Sequence, residues 1–297
     1  MRLHTRSVTL AVSVKTETAS QEDDVNPRER LALNRILSPQ LPLPEFLKLT
    51  ADLGMKMAEI RNDFAEKGVL DGLSESQLRK ALAETGVRII TINALYPFEH
   101  GKHLKANLEQ VKGLIAEARK VSCPHIVMCP FNEAGDPRTP AQRSADLVAA
   151  LNAYGPLLTD AGMVGLIEAL GFERSALRTK RAALDGIDRC DHPKAFALLH
   201  DTFHHYLSSE TELFPRETKL IHVSGVVAGK AKPAIEDDDR ILVDASDVLD
   251  SRGQVAALLK AGCEAPISFE SFSPKIRSLP VPELKKALRA SVNYLIG

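Results

Sequence analysis

Between Leu31 and Gly297 one pattern recurs eight times: a short apolar run, then a longer stretch whose apolar residues return at helical spacing. The runs are "LALNRIL" (31–37), "MKMAEIR" (55–61), "VRIITINAL" (87–95), "HIVMCP" (125–130), "MVGLIEAL" (163–170), "AFALLHD" (195–201), "TKLIHVSG" (218–225) and "APISFESF" (265–272). Near-continuous apolar runs of this length suit strands buried on both faces of a parallel sheet. Helices are expected over 44–53, 75–85, 104–121, 140–160, 175–187, 251–261 and 281–297. Ser74 reads as an N-cap and Gly86 as the stop of the second of these. The sixth unit is the weakest, with "SSETELFP" (208–215) supporting only a short helix. Eight strand-then-helix units in about 265 residues fit a single (β/α)8 TIM barrel better than a doubly wound sheet. No GxGxxG follows the first strand, so the dinucleotide fingerprint is missing. No linker-like tract divides residues 30–297, which read as one domain.

Residues 1–29 read as a mobile N-terminal extension. Its basic start and apolar Val8–Val14 are superficially signal-like, but Thr9 and Ser13 interrupt the run and no small-residue cleavage site follows. Lys+Arg number 38 against Asp+Glu 39, a balance that counts against a nucleic-acid binder, whose footprint is a basic excess. No run reaches the ~18 apolar residues of a membrane span. The four cysteines form no CxxC pair and read as free thiols of a reducing, cytoplasmic compartment. A small-molecule enzyme is the class these numbers leave in front.

In a barrel of this kind the active site lies at the C-terminal ends of the strands. There the fifth strand carries Glu168, the sixth ends in His200 and Asp201, the seventh carries His222 and the eighth Glu270. Three carboxylates with no basic residue in their own strands would repel one another if clustered and dry. A divalent cation removes that repulsion. Three oxygen donors and one imidazole suit Mn2+, Mg2+ or Co2+, with Zn2+ also compatible. Strand alternation sends His200 to the face opposite Asp201. His204, three residues on, can face the cavity from the turning chain as a substrate contact or proton relay, while His205 reads as a loop residue. Arg61, Asn62 and Asn34 stand at rim positions from which they can bond substrate hydroxyls, and so does Arg240 if the loop after the seventh strand folds over the mouth. For Arg61 and Arg240 a salt bridge to neighbouring Asp or Glu is the competing expectation.

These motifs, "EIRND" (59–63), "GLIEALGF" (165–172), "HDTFHHYL" (200–207), "LIHVSGV" (220–226), "RILVD" (240–244) and "ISFESF" (267–272), resemble the xylose-isomerase-like sugar isomerases and epimerases, and within them the inosose (2-keto-myo-inositol) isomerase branch. The resemblance covers nearly all the chain after residue 30. It implies one metal held by Glu168, Asp201, His222 and Glu270, with Glu168 and Glu270 exchanging protons with substrate and His204 contacting it. The chain departs from the ketose epimerases where Ala228 replaces an Arg and Arg174 a second Glu. The expected activity is therefore isomerisation or epimerisation of a keto-polyol such as an inosose, by proton transfer through a metal-stabilised enediolate, in inositol or related carbohydrate catabolism. Ketose 3-epimerase and hydroxypyruvate-type isomerase are the alternatives, with a metal-dependent phosphodiesterase or a non-catalytic barrel behind them. The expected partner is a small sugar or cyclic polyol, not nucleic acid or membrane, and a homo-oligomer is consistent with the likeness.

Overall fold

A computed structural model describes residues 26–64 and 68–297. The signal-like Val8–Val14, like all of residues 1–25 of the expected extension, lies outside the described residues. Residues 27–30 form a 3-10 turn tied to the body, with Arg28 donating to Asn293 and Arg30 to the Cys263 carbonyl.

The chain alternates β1 (Leu31–Asn34), α1 (Leu43–Asp52), β2 (Met57–Arg61), α2 (Glu75–Thr85), β3 (Arg88–Leu95), α3 (Leu104–Lys120), β4 (His125–Met128) and α4 (Pro140–Ala161). It continues through β5 (Val164–Glu168), α5 (Lys180–Arg189), β6 (Phe196–Asp201), α6 (Thr202–Ser208), β7 (Thr218–Val223), α7 (Ser251–Lys260), β8 (Ile267–Phe269), α8 (Pro274–Arg277) and α9 (Val281–Ile296). All eight strand pairings are parallel and β8 returns to β1, so the sheet closes in sequence order as a (β/α)8 barrel. No helix among the described residues is long and apolar enough to cross a membrane.

Local sequence explains most boundaries. Ser74 and Gln77 close a capping box at the start of α2, and Gly86 ends it at φ +65°, a left-handed conformation glycine adopts freely. Thr139 and Gln142 repeat the box for α4, which stops at Gly162. Three expectations shift. The first strand stops at Asn34 rather than Leu37, because the Asn34 side chain accepts from the Ile36 amide and turns the chain into a 3-10 helix. The fifth helix begins at Lys180, not Ser175: Thr179 is its cap, and the Ser175 hydroxyl is bound within its own loop. The sixth helix lies before "SSETELFP", because Asp201 caps a helix that starts immediately after β6.

Strand alternation builds two cores. Outward residues pack beneath the helices in the large cluster. Inside the barrel Ala32, Met57, Ile90, Val127, Leu166, Leu199 and Leu220 form an apolar layer. Two residues further along the same faces come Asn34, Glu59, Cys129, Glu168, Asp201 and His222. The interior thus changes from hydrocarbon to ionisable groups in one step along the barrel axis.

Candidate metal centre

Glu168, Asp201, His222 and Glu270 each bring one donor atom into a group in which all donors lie within 4.8 Å of one another, and all four residues are buried. His222 is the hub. Its Nδ1 lies 3.2 Å from Glu168 Oε1, 3.0 Å from Glu270 Oε2 and 3.9 Å from Asp201 Oδ2. Its Nε2 faces the other way, 3.1 Å from both carboxylate oxygens of Glu59.

Asp201 divides its two oxygens between fold and site. Oδ1 accepts from the Phe203 amide at 2.7 Å and the His204 amide at 3.4 Å, the N-cap pattern that launches α6. Oδ2 is left to face the cluster, where it accepts from Arg240 at 2.6 Å. The same Arg240 nitrogen donates to Glu270 Oε2 at 3.0 Å, and its guanidinium lies between the rings of Phe203 and Phe272, 4.8 Å from each. The loop after β7 does fold over the mouth, pinned by bridges Gly225 to Ile241 and Val227 to Asp247. Arg61 donates through Nη1 to Glu270 Oε1 at 3.0 Å and through Nε and Nη2 to Asp63. Both arginines therefore make the expected salt bridges, and they make them to the cluster itself.

The remaining expected residues divide. Asn34 donates from Nδ2 to Glu270 Oε1 at 3.1 Å and to Glu59 Oε1 at 3.3 Å, which makes it a brace between two carboxylates. Asn62 is not brought to the cluster: its amide donates to the Ala94 carbonyl and accepts from the Ala94 amide, fastening the end of β3. His200 points out of the barrel, 3.0 Å from Gln254 of α7. His205 packs outside as well, 2.7 Å from Lys180 Nζ. His204 stands on the first turn of α6 rather than in a loop, its ring edge-on to Phe172 and Phe203. Burial pushes it down to about 4, so it is neutral at pH 7, and its Nδ1 is a buried atom with no protein partner.

Sequence reasoning missed two contributors. Glu59 was visible in "EIRND" but had no feature to separate it from a structural carboxylate. Cys129, at the end of β4, donates its thiol to Glu168 Oε2 at 3.2 Å. Its side of the strand was the available signal, because it follows Val127 by two residues on the interior face.

Charge couples the group. Burial works against a charged His222, yet Glu270 and Glu59 outweigh it and hold the imidazole well above its ordinary value. Burial likewise works against a charged Glu270, but His222, Arg240 and Arg61 hold its carboxyl below the usual range. The Cys129 thiol is pushed far up by burial and then by Glu168.

The residues present fit a divalent cation. Four buried carboxylates (Glu59, Glu168, Asp201, Glu270) meet two guanidiniums, Arg61 and Arg240, which are shared with Asp63 and Asp237, so with His222 neutral, as a ligand must be, the site keeps an excess of negative charge. A divalent ion offsets that excess, and three carboxylates with one imidazole are donors for Mn2+, Co2+, Mg2+ or Zn2+.

The family model described as a xylose isomerase-like TIM barrel matches residues 47–296. A xylose isomerase domain containing protein from Salmonella typhimurium LT2 is 30% identical, with a TM-score of 0.83 over 91% of this chain and 98% of that one. IolI protein solved with a bound zinc atom is 17% identical, with a TM-score of 0.80 over 90% and 97% of the two chains. D-psicose 3-epimerase solved in the presence of D-fructose is 12% identical, with a TM-score of 0.65 over 90% and 99%. No curated protein matches the chain in sequence. With most of its length matched by the family model and by a relative of 30% identity, the chain belongs to the xylose isomerase-like TIM barrel family.

Proposed function

We propose that the protein is a divalent-metal-dependent isomerase or epimerase of a small keto-polyol, with inososes the first candidate substrates. The observation that carries this reading is the convergence of Glu168, Asp201, His222 and Glu270 at the C-terminal mouth of the barrel. The zinc in the IolI structure and the sugar in the epimerase structure support it by analogy of fold. The ketose 3-epimerase alternative has the same chemistry. Arg174, which stands where those enzymes have a Glu, is paired here with Glu236 of the β7–α7 loop at 2.6 Å, which favours a different substrate.

Glu168, Asp201, His222 and Glu270 would hold the cation, and bound there it would supply Lewis acidity toward a carbonyl and its neighbouring hydroxyl. Glu168 and Glu270 flank His222 Nδ1 and are the acid/base pair of the proposal. One takes the proton from the carbon beside the carbonyl, and the same or the opposing carboxyl returns it. Return to the former carbonyl carbon isomerises the substrate; return to the opposite face of the original carbon epimerises it. Arg61 and Arg240 each donate to the Glu270 carboxylate, one to each oxygen. The Cys129 thiol holds the Glu168 oxygen that faces away from His222. His204, neutral and with no protein partner at Nδ1, would bond a substrate hydroxyl. Phe172 and Phe203 stand edge-on to its ring. The free cysteines suit a reducing, cytoplasmic setting, and the balanced charge suits a small neutral partner rather than nucleic acid or membrane. A homo-oligomer belongs to the same proposal.

The test is solvent exchange. Chelator-stripped protein reloaded with Mn2+, Co2+, Mg2+ or Zn2+ is incubated in heavy water with keto-inositols, ketohexoses, ketopentoses and hydroxypyruvate. Deuterium should enter beside the carbonyl of one class and only with metal. No incorporation with any metal and any of these substrates sinks the reading.

A further inference from the structure

Glu59 is the one carboxylate of the centre that lies outside the four-donor group, and it is fully buried. Its neighbours are donors. Thr91 Oγ1 lies 2.5 Å and Asn93 Nδ2 2.9 Å from Oε2, while Asn34 Nδ2 lies 3.3 Å from Oε1. A shift in register between β2 and β3 at Ala58/Glu59 brings Thr91 level with Glu59, so this cradle is a product of the barrel's own irregularity. Three donors fix the carboxylate, and it accepts in addition from His222 Nε2, 3.1 Å from both of its oxygens.

Such a carboxylate is expensive to bury directly against an apolar layer, where a Met or Leu would pack at no desolvation cost. It is not placed to bind the cation itself. Glu59 lies on the Nε2 side of the ring and Glu168, Glu270 and Asp201 on the Nδ1 side, so an ion held at Nδ1 is turned away from Glu59. What Glu59 can do is choose which face of the ring is used. An imidazole that donates its Nε2–H to a fixed carboxylate presents the Nδ1 lone pair on the other side, where Glu168, Glu270 and Asp201 lie.

We infer that Glu59 is a positioning residue that locks His222 with Nδ1 turned into the cation site, held in its turn by Thr91, Asn93 and Asn34. The inference rests on the metal-binding part of the proposed function and not on its substrate. Without Glu59 the ring can rotate about its Cβ–Cγ bond, or carry its proton on Nδ1, and either change withdraws one of the four donors.

The test measures metal ligation directly. In the zinc-loaded wild-type protein, long-range 15N–1H correlation spectra of the His222 ring should show a metal-bound Nδ1 and a protonated Nε2. In Co2+ titrations followed by visible absorption, Glu59→Ala should bind roughly ten- to hundredfold more weakly, with an altered absorption band, as expected for loss of a ligand's orienting partner. Glu59→Gln, whose amide oxygen can still accept, should fall between Glu59→Ala and wild type. This isosteric variant and the wild-type spectra decide the matter even if Glu59→Ala does not fold, since a purely packing role leaves the Gln protein at wild-type affinity. Ligation through Nε2, Co2+ affinity of Glu59→Ala within twofold of wild type, wild-type affinity in Glu59→Gln, or a wild-type protein that binds no metal would each overturn the inference. If the ligation results hold while no keto-polyol exchanges deuterium, the substrate reading fails and the role of Glu59 stands.

Discussion

The two halves of the barrel do different work. The second half supplies every proposed metal donor: Glu168 from β5, Asp201 from β6, His222 from β7 and Glu270 just beyond β8. The first half supplies no donor, but its side chains occupy the backs of three of them. Cys129 holds Glu168, Asn34 and Arg61 hold Glu270, and Glu59 holds His222. Asp201 is braced from its own half alone, by the amides of α6 and by Arg240, which reaches Glu270 as well. The division matters because a donor that must release water and bind an ion gains most from being fixed in advance. It also orders the expected effects of mutation: changes in β5–β8 should remove the site, whereas changes in β1–β4 should loosen it.

The strongest test of that order removes donors. His222→Ala and Asp201→Asn should each lower Co2+ affinity by more than the roughly hundredfold typical of losing an orienting partner, and should abolish deuterium exchange. Asp201→Ala would confuse the result, because it also uncaps α6, at a cost of about 1 kcal/mol, and strips Arg240 of a buried partner. Asparagine keeps an oxygen for the Phe203 amide, so a loss of binding in Asp201→Asn reports on the site. Next come the acid/base substitutions. Glu168→Gln and Glu270→Gln should retain part of the metal affinity but slow proton exchange by about 10²–10⁴-fold, read as incorporation rate against bound metal. If either keeps the full rate, it is a ligand alone and the proton passes elsewhere.

The second half was also the legible half. A carboxylate or imidazole at the end of an apolar strand stands out against its neighbours, and the repulsion among three such carboxylates already called for a cation. Two guanidiniums lessen that repulsion: Arg61 stands at the end of β2, whereas the approach of Arg240 depends on a bridged loop and not on any strand's sequence. The first half was hard to read because its residues act through other residues. Glu59 matters only if His222 lies behind it, 163 positions along the chain. Asn62 sits beside Arg61 at the same rim, yet its amide goes to the Ala94 backbone, a partner that spacing cannot reveal. Helices were legible where capping boxes and glycines marked their ends, as in α2 and α4. The helix α6 was not, because Asp201 reads first as a strand-end ligand, and its capping of the next turn leaves no separate mark.

Within the first half the effects should follow the number of donors each brace serves. Asn34→Ala removes the amide shared by Glu59 and Glu270 and should lower metal affinity roughly ten- to hundredfold, with a matching loss of exchange rate. A change of less than twofold would mean that Arg61 and Arg240 at Glu270, and Thr91 and Asn93 at Glu59, hold those carboxylates without it.

The smallest effect is expected at Cys129, and it bounds the comparison from below. Its thiol makes one contact, to Glu168 Oε2, and a thiol is a weak donor. A typical hydrogen bond contributes about 0.5–1.5 kcal/mol net, and one from so weak a donor belongs at the low end, so Cys129→Ala should reduce exchange by roughly twofold. Cys129→Ser, whose hydroxyl donates better, should equal or exceed wild type in the same assay. In the metal-free site burial and then Glu168 push the thiol well above its ordinary value. If Cys129→Ala instead loses metal as completely as His222→Ala does, the thiol is a fifth donor. The division of labour between the halves would then be wrong at β4, and a softer ion, Zn2+ or Co2+ rather than Mg2+, would be the natural occupant.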